Sequence, residues 1–129
     1  MGRRNIKKKR ILVVDDDIRA TQIFARMLRE DGHDVDVAHD GAEAIDHLSG
    51  AIIPDILVTD IQMPYADGFA VALYARSRQP CLPIFFVTGY PERVSRRMKS
   101  LNPAPKVFVK PLDYAALVTE LTSIMRGAK

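Results

Sequence analysis

Apolar residues follow two patterns along the chain. Short continuous runs rich in β-branched and aromatic residues, Ile11 to Val14, Ile56 to Thr59, Leu82 to Val87 and Lys106 to Val109, read as strands buried in a sheet. Between them the spacing becomes helical. Ile23, Phe24, Met27 and Leu28 mark a helix over 18–31, with Asp17 as its N-cap and Gly32 as its stop. His33 to His39 alternates, placing Val35 and Val37 on one face against Asp34, Asp36 and Ala38, the pattern of an edge strand. Asp40-Gly41 caps a second helix marked by Ala42, Ala44, Ile45 and Leu48, which closes at Ser49-Gly50. Asp67-Gly68 opens a third, Phe69 to Arg78, which Pro80 ends. A fourth is expected from Pro91 to Leu101, since Asn102-Pro103-Ala104-Pro105 cannot continue it. Asp113 caps the last, whose stripe is Tyr114, Leu117, Val118, Leu121, Ile124 and Met125.

Five strands alternating with five helices predict an α/β fold, a doubly wound five-stranded parallel sheet with helices on both faces and right-handed crossovers. The simplest strand order is 2-1-3-4-5. A chain of 129 residues is the size of one domain, and there is no internal repeat or linker, so residues 1–9 read as a basic tail and 10–129 as the domain. Charge sharpens that division. Six of the 19 basic residues (Arg3, Arg4, Lys7, Lys8, Lys9, Arg10) precede the first strand, which leaves 13 basic against 16 acidic residues and a balance of −3 in place of +3. Such a tail reads as a solvated terminus. A single cysteine, no apolar stretch of membrane length and no signal-like start predict a cytoplasmic protein. Ile6 stands where a myristoylation signal needs Ser or Thr.

The strand exits carry the chemistry. Asp15 and Asp16 follow the first strand, Asp60 ends the third, Thr88 the fourth and Lys110 the fifth. In a parallel sheet these exits share one edge, outside which ligands bind. One acidic strand end is ordinarily a cap or a solvated loop residue; five such residues at one edge point to a site. Crowded carboxylates need a compensating cation, and all-oxygen ligation suits Mg²⁺. A hydroxyl and an ammonium beside them suit the oxygens of a phosphoryl group. His33, His39 and His47 do not cluster with Cys81 as metal ligands; His33 and His47 read as exposed polar residues, and Cys81 as a small buried hydrophobe.

Val13-Val14-Asp15-Asp16, Asp60-Ile61-Gln62-Met63-Pro64 with Asp67-Gly68, Val87-Thr88-Gly89 and Val109-Lys110-Pro111 together resemble the receiver domain of two-component response regulators, in the single-domain form of the chemotaxis response regulator. The resemblance covers about residues 10 to 126. It implies the flavodoxin-like receiver fold, with Asp60 as phosphoacceptor and Asp15 and Asp16 in an acidic pocket where Asp16, Asp60 and the Gln62 backbone carbonyl bind Mg²⁺. Thr88 then hydrogen-bonds the phosphoryl group, Lys110 pairs with it, and Lys110-Pro111 is cis. Gly89 leaves the phosphoryl oxygens accessible. The implied donor is a sensor histidine kinase or histidine phosphotransfer protein. The protein would catalyse only its own phosphorylation and dephosphorylation, signal to a downstream protein by contact or onward phosphotransfer, and be a monomer or weak dimer. No helix-turn-helix follows the domain, so direct DNA binding is not expected. A non-phosphorylated interaction module is the alternative, disfavoured because no site residue is replaced; a magnesium phosphohydrolase is disfavoured because Gln62 stands where a second Asp is needed.

Three positions depart from the family pattern. Val107 replaces the Tyr or Phe found three residues before the lysine, and Phe108 beside it faces the opposite side as core. Asn102-Pro103-Ala104-Pro105 replaces the more usual Gly-Ala pair. Arg93, Arg96, Arg97 and Lys99 form a basic patch on the expected fourth helix, which reads as a solvated face. With Val107 unable to swing inward, Tyr90 is the aromatic placed to act as a relay.

Overall fold

The computed structural model describes residues 8–63 and 67–125; Arg3, Arg4, Lys7, Pro64 and the side chain of Met125 lie outside the described residues. Five parallel strands, β1 (Arg10–Val14), β2 (Asp34–Ala38), β3 (Ile56–Asp60), β4 (Ile84–Thr88) and β5 (Lys106–Val109), form one sheet in the order β2-β1-β3-β4-β5. Helices α1 (Ile18–Glu30), α2 (Gly41–Leu48), α3 (Gly68–Arg78), α4 (Arg96–Lys99) and α5 (Tyr114–Met125) connect or follow them.

The sheet has two cores because its side chains alternate between faces. Leu12, Val14, Leu57, Ile84 and Phe86 lie in the layer that includes Ala44 and Leu48 of α2 and Val71 and Ala75 of α3. Ile11, Val13, Ile56, Val58, Phe85 and Val87 lie in the other, with Ala25 and Leu28 of α1 and Leu117 and Leu121 of α5. Phe85 and Phe86 are both fully buried on opposite sides, each contributing about 1.5–3 kcal/mol by apolar burial. Burial on both faces is why these strands read as unbroken apolar runs. Even the edge strand β2 buries both Val35 and Ala38, so its alternation is not a simple split between core and solvent.

The helix starts are set locally. Asp17, Asp40, Asp67 and Asp113 accept hydrogen bonds from the N–H groups of Ala20, Glu43, Ala70 and Ala116, contacts worth about 1 kcal/mol each. Gly32, at φ 98°, takes the left-handed conformation that ends α1.

Four expectations change. The fourth helix is not continuous from Pro91 to Leu101: a 3₁₀ turn, Pro91–Arg93, precedes the four-residue α4. Val94 is extended (ψ 114°) and packs, partly buried, against the core, and Ser95 restarts the helix by accepting from the Met98 N–H at 3.2 Å. β4 starts at Ile84, because the Leu82 N–H is held in a turn by the Gln79 carbonyl. Cys81, on that turn, is exposed. His33 is 6% exposed, its Nδ1 accepting the Lys9 N–H at 3.1 Å.

Candidate functional site

Register sets out the site. Val14 lies beside Thr59, Asp60 beside Val87, and Thr88 beside Val109. Asp15, Asp60, Thr88 and Lys110 therefore emerge along one sheet edge within a residue of one another. The two-residue period then assigns their faces. Val13, Val58 and Phe108 point toward α1 and α5, so Asp15, Asp60 and Lys110, each two residues further on, point the same way. Thr88 follows Phe86 toward the opposite layer.

The contacts agree with this parity. Lys110 Nζ lies 3.1 Å from Asp15 Oδ2 and 3.2 Å from Asp60 Oδ2. Lys110 is placed by its own backbone, whose N–H donates to the Thr88 carbonyl at 2.8 Å, and the Lys110–Pro111 bond is cis. Asp15 Oδ1 accepts the Asp17 N–H at 2.9 Å, which turns the exit of β1 into the start of α1. Thr21 of α1, buried, donates to the Asp15 carbonyl at 3.3 Å and also contacts the Asp17 carbonyl.

Asp60 is 8% exposed. Burial pushes its pKa above the ordinary carboxylate range; the Lys110 ammonium opposes that rise, and the Asp15 charge adds to it. Burial also works against the charge on Lys110, yet Asp15 and Asp60 outweigh it and hold the ammonium above its usual value. Asp15, Asp16 and Asp60 offer oxygens that all lie within 4.8 Å of one another. One ammonium against three carboxylates leaves two negative charges, and an all-oxygen donor set with that deficit fits a hard divalent cation.

Gly68 joins the site for a reason its cap motif does not reveal. A Cβ there would lie 2.1 Å from the Asp60 carbonyl oxygen and 2.8 Å from Ile61 Cα. The Gly68 N–H donates to the Ile61 carbonyl at 2.7 Å, so α3 begins directly against the backbone of the strand end. At Gly89 an added Cβ would meet nothing within 4 Å among the described residues beyond its chain neighbours.

On the other face, Thr88 Oγ1 accepts the Tyr90 N–H at 2.9 Å, its one hydrogen bond among the described residues, which leaves its O–H free to donate. Tyr90 is half exposed beneath Arg93, whose guanidinium carbon sits 4.7 Å from the ring centre. Val107 is 38% exposed, while Phe108 packs against Phe85 with ring centres 5.4 Å apart, on the face expected for it.

A cavity of about 380 Å³ opens beside Asp60 and Lys110, walled by Phe24 and Met27 of α1 and by Leu112 and Tyr114 at the start of α5. Sequence reasoning did not anticipate it. Phe24 and Met27 mark a helical stripe equally well whether they fill a core or line a gap.

A family model for the response regulator receiver domain matches residues 11–122. Response regulator MprA of Mycobacterium avium (strain 104) is 36% identical over 121 residues, covering 93% of this chain and 52% of its own length. The Mycobacterium ulcerans (strain Agy99) protein of the same name is also 36% identical, with 51% of its length covered. The chain spans about half the length of the curated relatives it matches. Among solved structures, the receiver domain of Francisella response regulator 1452 aligns with a TM-score of 0.76 and 26% identity, over 95% of this chain and 100% of that one. Chemotaxis response regulator CheY4 of Vibrio cholerae aligns with a TM-score of 0.77 and 27% identity, over 92% of this chain and 99% of that one.

Proposed function

The chain belongs to the response regulator receiver domain family, and from that premise we propose that it is the phosphoacceptor of a two-component phosphorelay. Asp60 takes the phosphoryl group from a phosphohistidine of a sensor histidine kinase or a histidine phosphotransfer protein. The observation that carries the reading is the contact of Lys110 with both Asp60 and Asp15 at the carboxyl edge of the sheet.

A carboxylate oxygen of Asp60 attacks phosphorus. The new O–P bond forms as the P–N bond breaks, and that bond's electron pair stays on the imidazole nitrogen. Water later attacks the phosphorus of the acyl phosphate, which releases inorganic phosphate and restores the carboxylate. Lys110 pairs with the arriving phosphoryl oxygens and the free O–H of Thr88 donates to one of them, so acceleration comes from positioning and charge. Asp15, Asp16, Asp60 and the Gln62 carbonyl would hold Mg²⁺, which when bound offsets the repulsion between the phosphoryl oxygens and the acidic cluster. Because the acceptor is its own side chain, the protein is a substrate of phosphotransfer that speeds its own phosphorylation and dephosphorylation.

The cavity between α1 and α5 gives a partner carrying the phosphohistidine an apolar hold beside the acceptor. Exposed Ile18 and Ile23 on α1 extend that surface. No helix among the described residues is long and apolar enough to cross a membrane, and a cytoplasmic place follows from the kinase reading.

The test is incubation with acetyl phosphate and Mg²⁺, read by intact mass. One phosphoryl increment is expected in the wild type, none in Asp60→Asn and a strongly reduced one in Asp16→Asn. An undiminished increment in Asp60→Asn refutes the assignment.

A further inference from the structure

Tyr114, at the start of α5, spaces that helix from α1. Its ring meets Phe24 edge-on with ring centres 6.0 Å apart, and its hydroxyl lies 3.0 Å from the Met27 carbonyl and 2.7 Å from Asp31 Oδ2. The two helices are thus tied toward the carboxyl end of α1. Between that tie and the sheet edge they leave the cavity of about 380 Å³. A volume of that size lies within the range of small-molecule sites, about 300–1,000 Å³. Val13, Val58 and Val87 form its floor, and Phe24, Met27 and Leu112 its sides. Ala20 and Ile23, both exposed, stand at its rim.

The charge of the cavity is one-sided. The charged groups that line it are Asp15, Asp17, Asp60 and Lys110, three carboxylates against one ammonium. Lys110 is already shared between Asp15 and Asp60. Asp16 offers a further oxygen within 4.8 Å of theirs, and among the described residues it enters no ion pair. An apolar anion is repelled at such a place. A neutral apolar molecule gains the walls and leaves the excess charge as it stands, and a bare metal ion meets the carboxylates without using the walls. One ammonium on an apolar body meets both.

We propose that this cavity binds a small organic cation, an aromatic or branched-alkyl amine, with its ammonium at Asp15 and Asp60 and its body between Phe24, Met27 and Leu112. A seated amine lies against the carboxylate of Asp60 and fills the hold that a phosphohistidine donor would use, so it slows phosphoryl transfer. That consequence rests on the phosphoacceptor reading; the binding itself does not.

The probe is phenylbutylamine, titrated into the isotope-labelled full chain with EDTA present and no phosphodonor, and followed by amide chemical shifts. Saturable shifts are expected over residues 13–27, 58–60 and 110–114. Phenylbutanol should bind at least about fivefold more weakly, and phenylbutyrate more weakly still. Asp15→Asn should weaken the amine at least about threefold and leave the alcohol unchanged, whereas a variant that merely loosened the fold would weaken both. Ala20→Leu, which adds bulk at the rim from an exposed helical position, should also weaken both. Shifts that do not saturate, phenylbutyrate binding as tightly as the amine, or undiminished amine affinity in Asp15→Asn would each overturn the proposal. Uptake from acetyl phosphate with Mg²⁺ is timed in parallel and should slow as the amine is raised; an unchanged rate at saturating amine would refute its placement against Asp60. No uptake with or without amine would instead count against the phosphoacceptor reading, so the two failures are distinguishable.

Discussion

Asp60 is stabilised by one neighbour and destabilised by its surroundings, and the second effect prevails. Its pKa is raised by burial, so the native state holds the proton more tightly than the unfolded chain does. The resulting stability is fully present below the ordinary Asp pKa and is lost as pH rises through the raised one. At neutral pH, with EDTA present, Asp60→Asn is therefore expected to raise Tm, the gain shrinking as pH falls toward 4; thermal scans across that range check it. A lower Tm at neutral pH would mean that the Lys110 contact outweighs burial. His33 titrates with the opposite consequence. Burial lowers its pKa, the Asp31 charge opposing and the Lys9 charge assisting. Its contribution is present above the ordinary His value and lost as pH falls through the lowered one. Relative to His33→Gln, which can still accept the Lys9 N–H, the wild-type urea midpoint should thus decline as pH falls from about 7 to 5. His33 and Cys81 are the residues whose sequence reading failed most plainly. Both stand at an element boundary, where one turn of backbone decides burial and no periodicity reports it.

At the scale of elements, the strand exits were legible because strands covered on both faces spell continuous apolar runs, and each run's polar end marks the sheet edge. The shared face of Asp15, Asp60 and Lys110 was equally present in the alternation once the strand bounds were known. Gly68 was legible as a helix start, but its approach to the Asp60 carbonyl depends on how α3 packs against β3, which local pattern does not contain. Gly68→Ala is expected to destabilise the fold by about 2 kcal/mol or more, because backbone and not a flexible side chain must move. It should also slow phosphoryl uptake, and urea denaturation with a phosphorylation time course checks both. Retained stability and rate would show that the α3 start yields cheaply. The break at Val94 was hidden for a similar reason. Helix signals at Pro91 and Leu101 are genuine, yet Val94 is extended and partly buried against the core, and the helix is capped afresh at Ser95. Tyr90 sits at the head of that broken segment, tied to Thr88 through its N–H. If Thr88 transmits phosphorylation, Tyr90→Ala should leave phosphoryl uptake intact and reduce the phosphorylation-dependent change in amide exchange over residues 91–101; an equal change in both proteins would place the coupling in the backbone alone.

For the whole molecule, charge is segregated: a basic tail before β1, an acidic cluster at the carboxyl edge and a basic patch on the α4 side. The described contacts begin with an exposed pair, Lys8 Nζ to Asp34 Oδ1 at 3.5 Å, and with the Lys9 N–H. Deleting residues 1–7 should accordingly change Tm by less than about 2 °C and leave phosphorylation kinetics intact; a larger change in either would make the tail part of the fold or of donor docking. Strand order was readable from alternation and crossover rules, whereas the cavity beside Asp60 was not, since a gap is a property of two helices at once. The central claim is that the phosphoryl group is carried by Asp60 itself. Its most direct test is borohydride reduction of the chain after phosphorylation, followed by peptide sequencing by mass spectrometry. An acyl phosphate on Asp60 is reduced to homoserine at position 60, and that is the predicted result; homoserine at Asp15 or Asp16, or a phosphoryl group that survives reduction on a hydroxyl or imidazole, would contradict it.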